Sequence, residues 1–450
     1  MSRLSNRHIF RFWAPLAATW LMMAAEGPFL AAVIARLPDP KYNLAAHGVA
    51  FAFAILIEAP VIMLMSASTA LVEDAGTYRK LRNFANALNI GSTVMLLAVL
   101  IPPVFDFVMR TLIGLPAEVA DLTYGALWLF LPWPAAIGMR RFVQGVLIRS
   151  GRTRLVATGT MIRLVAMSAT AVILVLATDF PGAWVGAASL SAAVVTEAIA
   201  ARWMASGAIR ELLAGPDRVD ASAPLLGYRR ISHFYFPLLL TSVIGLMVHP
   251  MLTFFMGRAA FPVESLAVFP VVHALSFIFR ALGLSFQDAA IALLGRDNEH
   301  FPELARFGAV LGLAATAGLA GVAFTPLADV WFITISGLST ELAAFAITPT
   351  RILVILPALS VLLSFQRATL MQSRITRPIT VATAIEVSAI AILFTVGGWW
   401  IGWVGVTAAF VSYVGGRALS TAYLVTRVRQ ALRHGGRIRS EDQEPGRKSG

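Results

Sequence analysis

The chain has 450 residues, 58% hydrophobic and 13% charged, with no cysteine and a formal net charge of +12. Soluble domains are about a quarter charged, so this composition and a mean hydropathy of +0.76 exclude an ordinary water-soluble protein and indicate a polytopic membrane protein. The missing thiols exclude disulfides and thiolate metal sites, and the positive charge is read as cationic loops beside anionic headgroups rather than as a nucleic-acid surface.

Arg3, Arg7 and Arg11 precede an apolar run from Phe12 that is too long for the core of a signal peptide, so it is read as a retained first span. Further runs long enough to cross the hydrocarbon follow between polar breaks. The predicted spans are 12–35, 44–72, 84–104, 120–148, 154–178 and 183–207, then 232–258, 263–294, 306–328, 341–371, 378–399 and 401–429. This divides the chain into a six-helix lobe (1–207), a cytoplasmic linker (208–230), a second six-helix lobe (231–429) and a basic tail (430–450) expected to be disordered. Arg79, Lys80 and Arg82, then Arg149, Arg152 and Arg154, then Arg210, Arg218, Arg229 and Arg230 fall in alternate connections, as do Arg374, Arg377 and the tail. The positive-inside rule therefore puts both termini in the cytoplasm, and a bacterial inner membrane is the expected location.

The two groups of six are related in sequence. Pro15, Pro28, Leu30, Arg36, Leu44 and Ala45 recur 222 positions later as Pro237, Pro250, Leu252, Arg258, Leu266 and Ala267. Pro134, Phe142, Leu147, Ser150 and Arg154 recur 223 positions later as Pro357, Phe365, Leu370, Ser373 and Arg377. An even number of spans per copy gives both copies one orientation, hence a pseudo-two-fold axis along the membrane normal. The predicted fold is all-α, with twelve transmembrane helices in two pseudo-symmetric repeats.

No phosphate-binding glycine loop, dinucleotide fingerprint or HExxH helix is present. The expectation is therefore a protein that is not an enzyme and needs no cofactor or metal. The informative residues are ionisable ones inside spans, which are costly in hydrocarbon unless paired or turned to a watery cavity. Glu26, Glu58, Glu197, His249, Arg280 and Arg417 lie near mid-span, with Arg140, Arg141, Arg163, Asp288 and Glu386 one to two turns further along. Glu58 and Arg280 occupy equivalent positions with opposite charge, as do Arg163 and Glu386. An inter-lobe pair of Glu58 with Arg280 is the hypothesis; the plainer reading is that each is satisfied in its own half. Glu26, beside the helix-loosening Gly27 and Pro28, suits a proton or sodium site, and Glu58 and His249, next to Pro250, are further candidates; buried, hydrogen-bonded side chains are the alternative. Arg140, Arg141, Gln144, Arg280 and Arg367 are the candidate substrate contacts, because guanidinium grips carboxylate and phosphate bidentately. Snorkelling to headgroups is the competing reading for Arg367 and for one of the adjacent pair.

These features resemble the exporter superfamily that contains the MATE drug transporters and the lipid-linked oligosaccharide flippases. The stretches FYFPLLL (234–240), LAAHGVAF (44–51) and PTRILVILP (349–357), with Pro134 to Gly145, Arg149, Pro250, Arg258, Met371 and Thr376, look most like the progressive ankylosis protein family. The resemblance implies a V-shaped, two-lobed monomer with a central cavity and alternating access. It also implies export of small anions, with pyrophosphate, nucleoside triphosphate and citrate linked to the animal members. Arg258 and Arg351 are the residues it carries over, with a helix-anchoring role equally open for both. The expected function is thus a secondary active exporter of a small anion; the alternatives are proton- or sodium-coupled efflux of cationic drugs and a flippase for a lipid-linked anion.

Overall fold

The computed structural model describes residues 4–215, 227–295, 298–373, 375 and 377–442. Positions 216–226 of the expected linker, with Arg218, lie outside the described residues, as do Arg374, Thr376 and 443–450.

The fold is all-α. The first six-helix half comprises α1 (Asn6–Ile34), α2 (Pro40–Leu71), α3 (Ala75–Val99), α4 (Ala117–Leu129, continued as Trp133–Arg149), α5 (Thr153–Ala177) and α6 (Gly182–Met204). The second comprises α7 (Tyr228–Gly257), α8 (Pro262–Leu293), α9 (Phe301–Phe324), α10 (Thr340–Leu353, continued as Leu356–Gln372), α11 (Arg377–Phe394) and α12 (Gly405–Asp442). Among the described residues, eight helices are long and apolar enough to cross a membrane, or up to eleven if each bent pair is one span; α12 is the twelfth helix and is not among these. Helices are the solution the sequence demands, since backbone groups in lipid must bond within their own segment. Large apolar side chains such as Val165, Leu176, Val310 and Leu313 face outward, whereas Glu26, Glu58, Glu197, Arg140, Arg163 and Arg280 are buried. This is an integral membrane protein.

The sequence repeat is matched in the backbone. α1 breaks at Ala25 and α7 at Met247, three residues before Pro28 and Pro250, whose rings cannot donate and free a carbonyl one turn back. The bends in α4 and α10 are 41° and 42°. α2 and α8 both start with proline in the first turn, preceded by Asp39 (φ 50°) and Phe261 (φ 54°), two non-glycine residues in the left-handed region. The side chain of Asn43 accepts the Ala183 amide, and that of Ser265 accepts the Val406 amide.

α8 packs on α1 and α2, and α2 also packs on α7, so these four helices join the halves. Glycine permits the approach: a methyl group on Gly48 would sit 3.3 Å from the Pro270 ring. At the end carrying both termini, the Trp13 indole donates to Ser285 Oγ (2.8 Å) and the Tyr235 hydroxyl to the Pro60 carbonyl (2.6 Å). Each ring also meets a phenylalanine edge-on, Trp13 with Phe307 and Tyr235 with Phe84. At the opposite end Arg36 donates to the carbonyls of Thr334 and Ile335 (2.7 and 2.9 Å), and Arg258 to those of Thr111 and Leu112 (both 2.7 Å). Lys41 and Glu264 form a direct ion pair between the halves there (2.6 Å).

α12 runs to Asp442, past the boundary at 429 suggested by the sequence. The first part of the expected linker forms a short helix, Ser206–Ala214.

Candidate functional site

In the first half the break in α1 places Glu26 at the first residue of the following helical segment, where its carboxylate accepts a hydrogen bond from Arg163 Nη2 on α5. α4 resumes after its bend at Trp133, and the indole donates to Glu58 Oε2 on α2 (2.6 Å). Further along α4, Arg140 and Gln144 stand four residues apart on one face. Both reach Glu197 on α6, Arg140 Nη1 to Oε2 at 2.5 Å and Gln144 Nε2 to Oε1 at 3.2 Å. Arg141 points another way, with Nη1 3.9 Å from the Met65 sulfur on α2. α4 can lie this close to α2 because Gly145 has no side chain: a Cβ there would fall 1.8 Å from Ser68 Oγ and 2.4 Å from the Met65 carbonyl.

In the second half Arg280 of α8 donates from Nη2 to the Tyr413 hydroxyl on α12 (2.7 Å) and from Nη1 to His273 Nε2 (3.3 Å). Its guanidinium also lies over the Tyr413 ring, 5.1 Å from the centroid. Arg417 of α12 pairs with Glu386 of α11 (Nη2 to Oε1 2.7 Å) and donates to the Tyr413 hydroxyl (3.3 Å). Ser420 donates to the other oxygen of Glu386 (3.3 Å). Arg367 of α10 reaches Thr383 on α11 (3.4 Å). The His249 ring meets His273 edge-on with centroids 5.1 Å apart.

The structure thus gathers the sequence candidates into two clusters, Glu26, Glu58, Arg140, Arg141 and Gln144 in one half and His249, Arg280 and Arg367 in the other. The expected pair of Glu58 with Arg280 is not formed in this conformation. Glu58 is held by an indole and Arg280 by a phenol and an imidazole, each inside its own half, because neutral aromatic donors and acceptors lie closer than the opposite charge. Arg140 and Gln144, candidates for substrate, both bind Glu197, and Arg140 Nε has no acceptor among the described residues. Arg258 and Arg351 end on backbone carbonyls, Arg351 on that of Ala323 (3.3 Å).

Three members had not been singled out as site residues from sequence: Trp133, His273 and Tyr413. His273 lies seven residues before Arg280, and Tyr413 four before Arg417. Those helical spacings put each beside its arginine and were the available signal.

Charge divides unevenly between the clusters. The first holds three arginines (Arg140, Arg141, Arg163) and three glutamates (Glu26, Glu58, Glu197). The second holds three arginines (Arg280, Arg367, Arg417) and, among the described residues, one carboxylate, Glu386. Arg280 is 7% exposed, no carboxylate among the described residues lies within 4.0 Å of it, and its Nε has no acceptor there. Asp288, on the same helix, lies toward the terminal end and accepts from the Trp20 indole (3.3 Å).

No protein family matches the sequence, and no curated protein matches it. Solved structures do. The chain is similar to a MATE family multidrug transporter of the MOP superfamily in an inward-facing conformation (TM-score 0.67, 13% identity, 93% of this chain and 96% of that one). It is also similar to the lipid II flippase MurJ in an inward closed conformation (TM-score 0.69, 13% identity, 93% and 89%). The fold is that of the MATE and MurJ transporters. A MOP superfamily transporter from Pyrococcus furiosus, described as having a binding pocket of reverse polarity, is similar over 96% of this chain and 100% of that one (TM-score 0.63, 15% identity).

Proposed function

We propose that the protein is a secondary active exporter of a small anion, working as a monomer in the bacterial inner membrane by alternating access between its two halves. The observation that carries this reading is the excess of arginine over carboxylate in the second-half cluster, centred on the buried Arg280. A buried cation without a carboxylate is expensive. An anionic substrate is the partner that would offset the cost, and the planar guanidinium suits carboxylate or phosphate. The reverse-polarity description of the Pyrococcus furiosus transporter supports the idea that this fold tolerates such a change of sign.

Loop arginines orient the chain with both termini in the cytoplasm. On that orientation, Arg36, Arg258 and the Lys41–Glu264 pair close the outer end, and Trp13 and Tyr235 close the inner end. Outward opening would break the first set and retain the second, and inward opening the reverse. Cationic drug efflux is the weaker reading, since Glu26 and Glu197 are already paired with arginines and Glu58 with an indole.

Proteoliposomes loaded with labelled citrate, pyrophosphate or a cationic dye test the proposal. Flux of an anion, lost in Arg280→Gln, is expected; transport of the dye alone would overturn it.

A further inference from the structure

Arg280 shares its cluster with two imidazoles that the proposed transport cycle has not used. A guanidinium can only donate, so at 3.3 Å the Nε2 of His273 accepts from Arg280. The ring proton of His273 is therefore on Nδ1, and the imidazole is neutral in this conformation. His249 from the broken helix α7 stands against it.

An anion arriving at Arg280 must take guanidinium donors. Nε has no acceptor among the described residues, while Nη1 and Nη2 are held by His273 and Tyr413. Displacing His273 from Nη1 exposes the Nε2 lone pair beside a new negative charge, the condition under which an imidazole binds a proton. The other groups around α8 do not compete for that proton. Glu386 of α11 is committed to Arg417 and Ser420, and Arg367 of α10 and Arg417 of α12 are permanent cations. Tyr413 of α12 already binds both Arg280 and Arg417. From α1, Glu26 pairs with Arg163; from α2, Glu58 binds Trp133; α9 meets α8 through Gly318 against Phe279.

The geometry points to His273, backed by His249, as a proton site that loads together with the anion at Arg280, so that substrate and proton bind synergistically. This rests on the anion reading above. With the cluster already two charges in excess, a further proton is opposed until the anion arrives; by reciprocity, the proton then tightens the anion by the same factor.

The test uses the purified full chain and radiolabelled ethanedisulfonate, a dianion whose own charge does not change across the imidazole range. Affinity is expected to rise about tenfold from about pH 8 to about pH 5, with uptake of about one proton per anion seen by an indicator dye. His273→Gln keeps an oxygen that accepts from Arg280, and should bind at the high-pH affinity with no pH slope and no proton uptake. A wild-type slope in that variant, or wild-type binding without proton uptake, would overturn the proton site while leaving the anion reading intact. The uptake measurement on wild type decides the matter even if the variant does not fold. If ethanedisulfonate, citrate and pyrophosphate all fail to bind at every pH, the anion reading falls and the proton site falls with it.

Discussion

The two halves share one backbone plan yet carry different chemistry. In the first, each buried glutamate meets a donor on another helix, tying α1 to α5, α2 to α4 and α4 to α6. In the second, three arginines stand with one glutamate, which pairs with Arg417, and the aromatic groups Tyr413 and His273 take the place of carboxylates at Arg280. Matched bends and helix starts show that scaffold and charge pattern are separable. In charge count the first cluster is balanced, three arginines to three glutamates, although Arg141 has no carboxylate partner among the described residues, and the second is not; on the proposal above, an anion would complete it.

The sharpest way to break this contrast is to strand a charge in the compensated half. Glu197 is fully buried and Arg140 is 4% exposed. Glu197→Ala should cost about 3–5 kcal/mol, because it leaves a buried guanidinium unpaired. Thermal unfolding in detergent measures this, and the double change Glu197→Leu with Arg140→Met should recover most of the loss. If Glu197→Ala unfolds like wild type, the first half is not compensated in the sense argued.

Arg280→Gln should behave oppositely, with little loss of stability and anion flux about 10- to 100-fold lower, the worth of one or two charge-assisted hydrogen bonds. Equal damage to stability from Arg280→Gln and Glu197→Ala would erase the distinction between the halves.

A third comparison concerns the matched latches. Arg36→Ala and Arg258→Ala each remove two hydrogen bonds to carbonyls of the opposite half. Each should favour the open far end by about 1–2 kcal/mol, about 5- to 30-fold in population. The chain has no cysteine, so thiol labelling of Ala274→Cys, at the interface with Gly27, reports the change cleanly. Unequal responses would show that the two latches are alike in geometry only.

The smallest effect is expected from exchanging Lys41 and Glu264. The lysine side chain is 33% exposed, so the ion pair contributes about 1 kcal/mol or less. Each single reversal should slow transport slightly, and the double exchange should restore it.

Much of this architecture was legible in the sequence. Span periodicity and the 222-residue repeat led to twelve helices in two halves, because proline positions and apolar run lengths are strong local signals. Glu26, Glu197, Arg163, Glu386 and Arg417 stood out because charge in hydrocarbon is rare. Their pairing was harder. Equal depth suggested that Glu58 would meet Arg280, but depth says nothing about the direction a side chain faces around its helix. The residues that hold these two, Trp133 and Tyr413, are neutral aromatics common in any membrane helix. The left-handed turns at Asp39 and Phe261 were also invisible, since neither is glycine. The latch carbonyls of Thr111, Leu112, Thr334 and Ile335 belong to backbone, which composition cannot mark.

The crossed latches have one more consequence. Arg36 grips the second half as Arg258 grips the first, at equivalent positions and on equivalent carbonyls. That reciprocity is the signature of an isologous dimer interface, here folded into a single polypeptide. Closure of the far end is therefore carried by paired copies of one contact. A substitution in either copy leaves its twin in place, so each half is free to change its interior, as these two have, without losing its grip on the other.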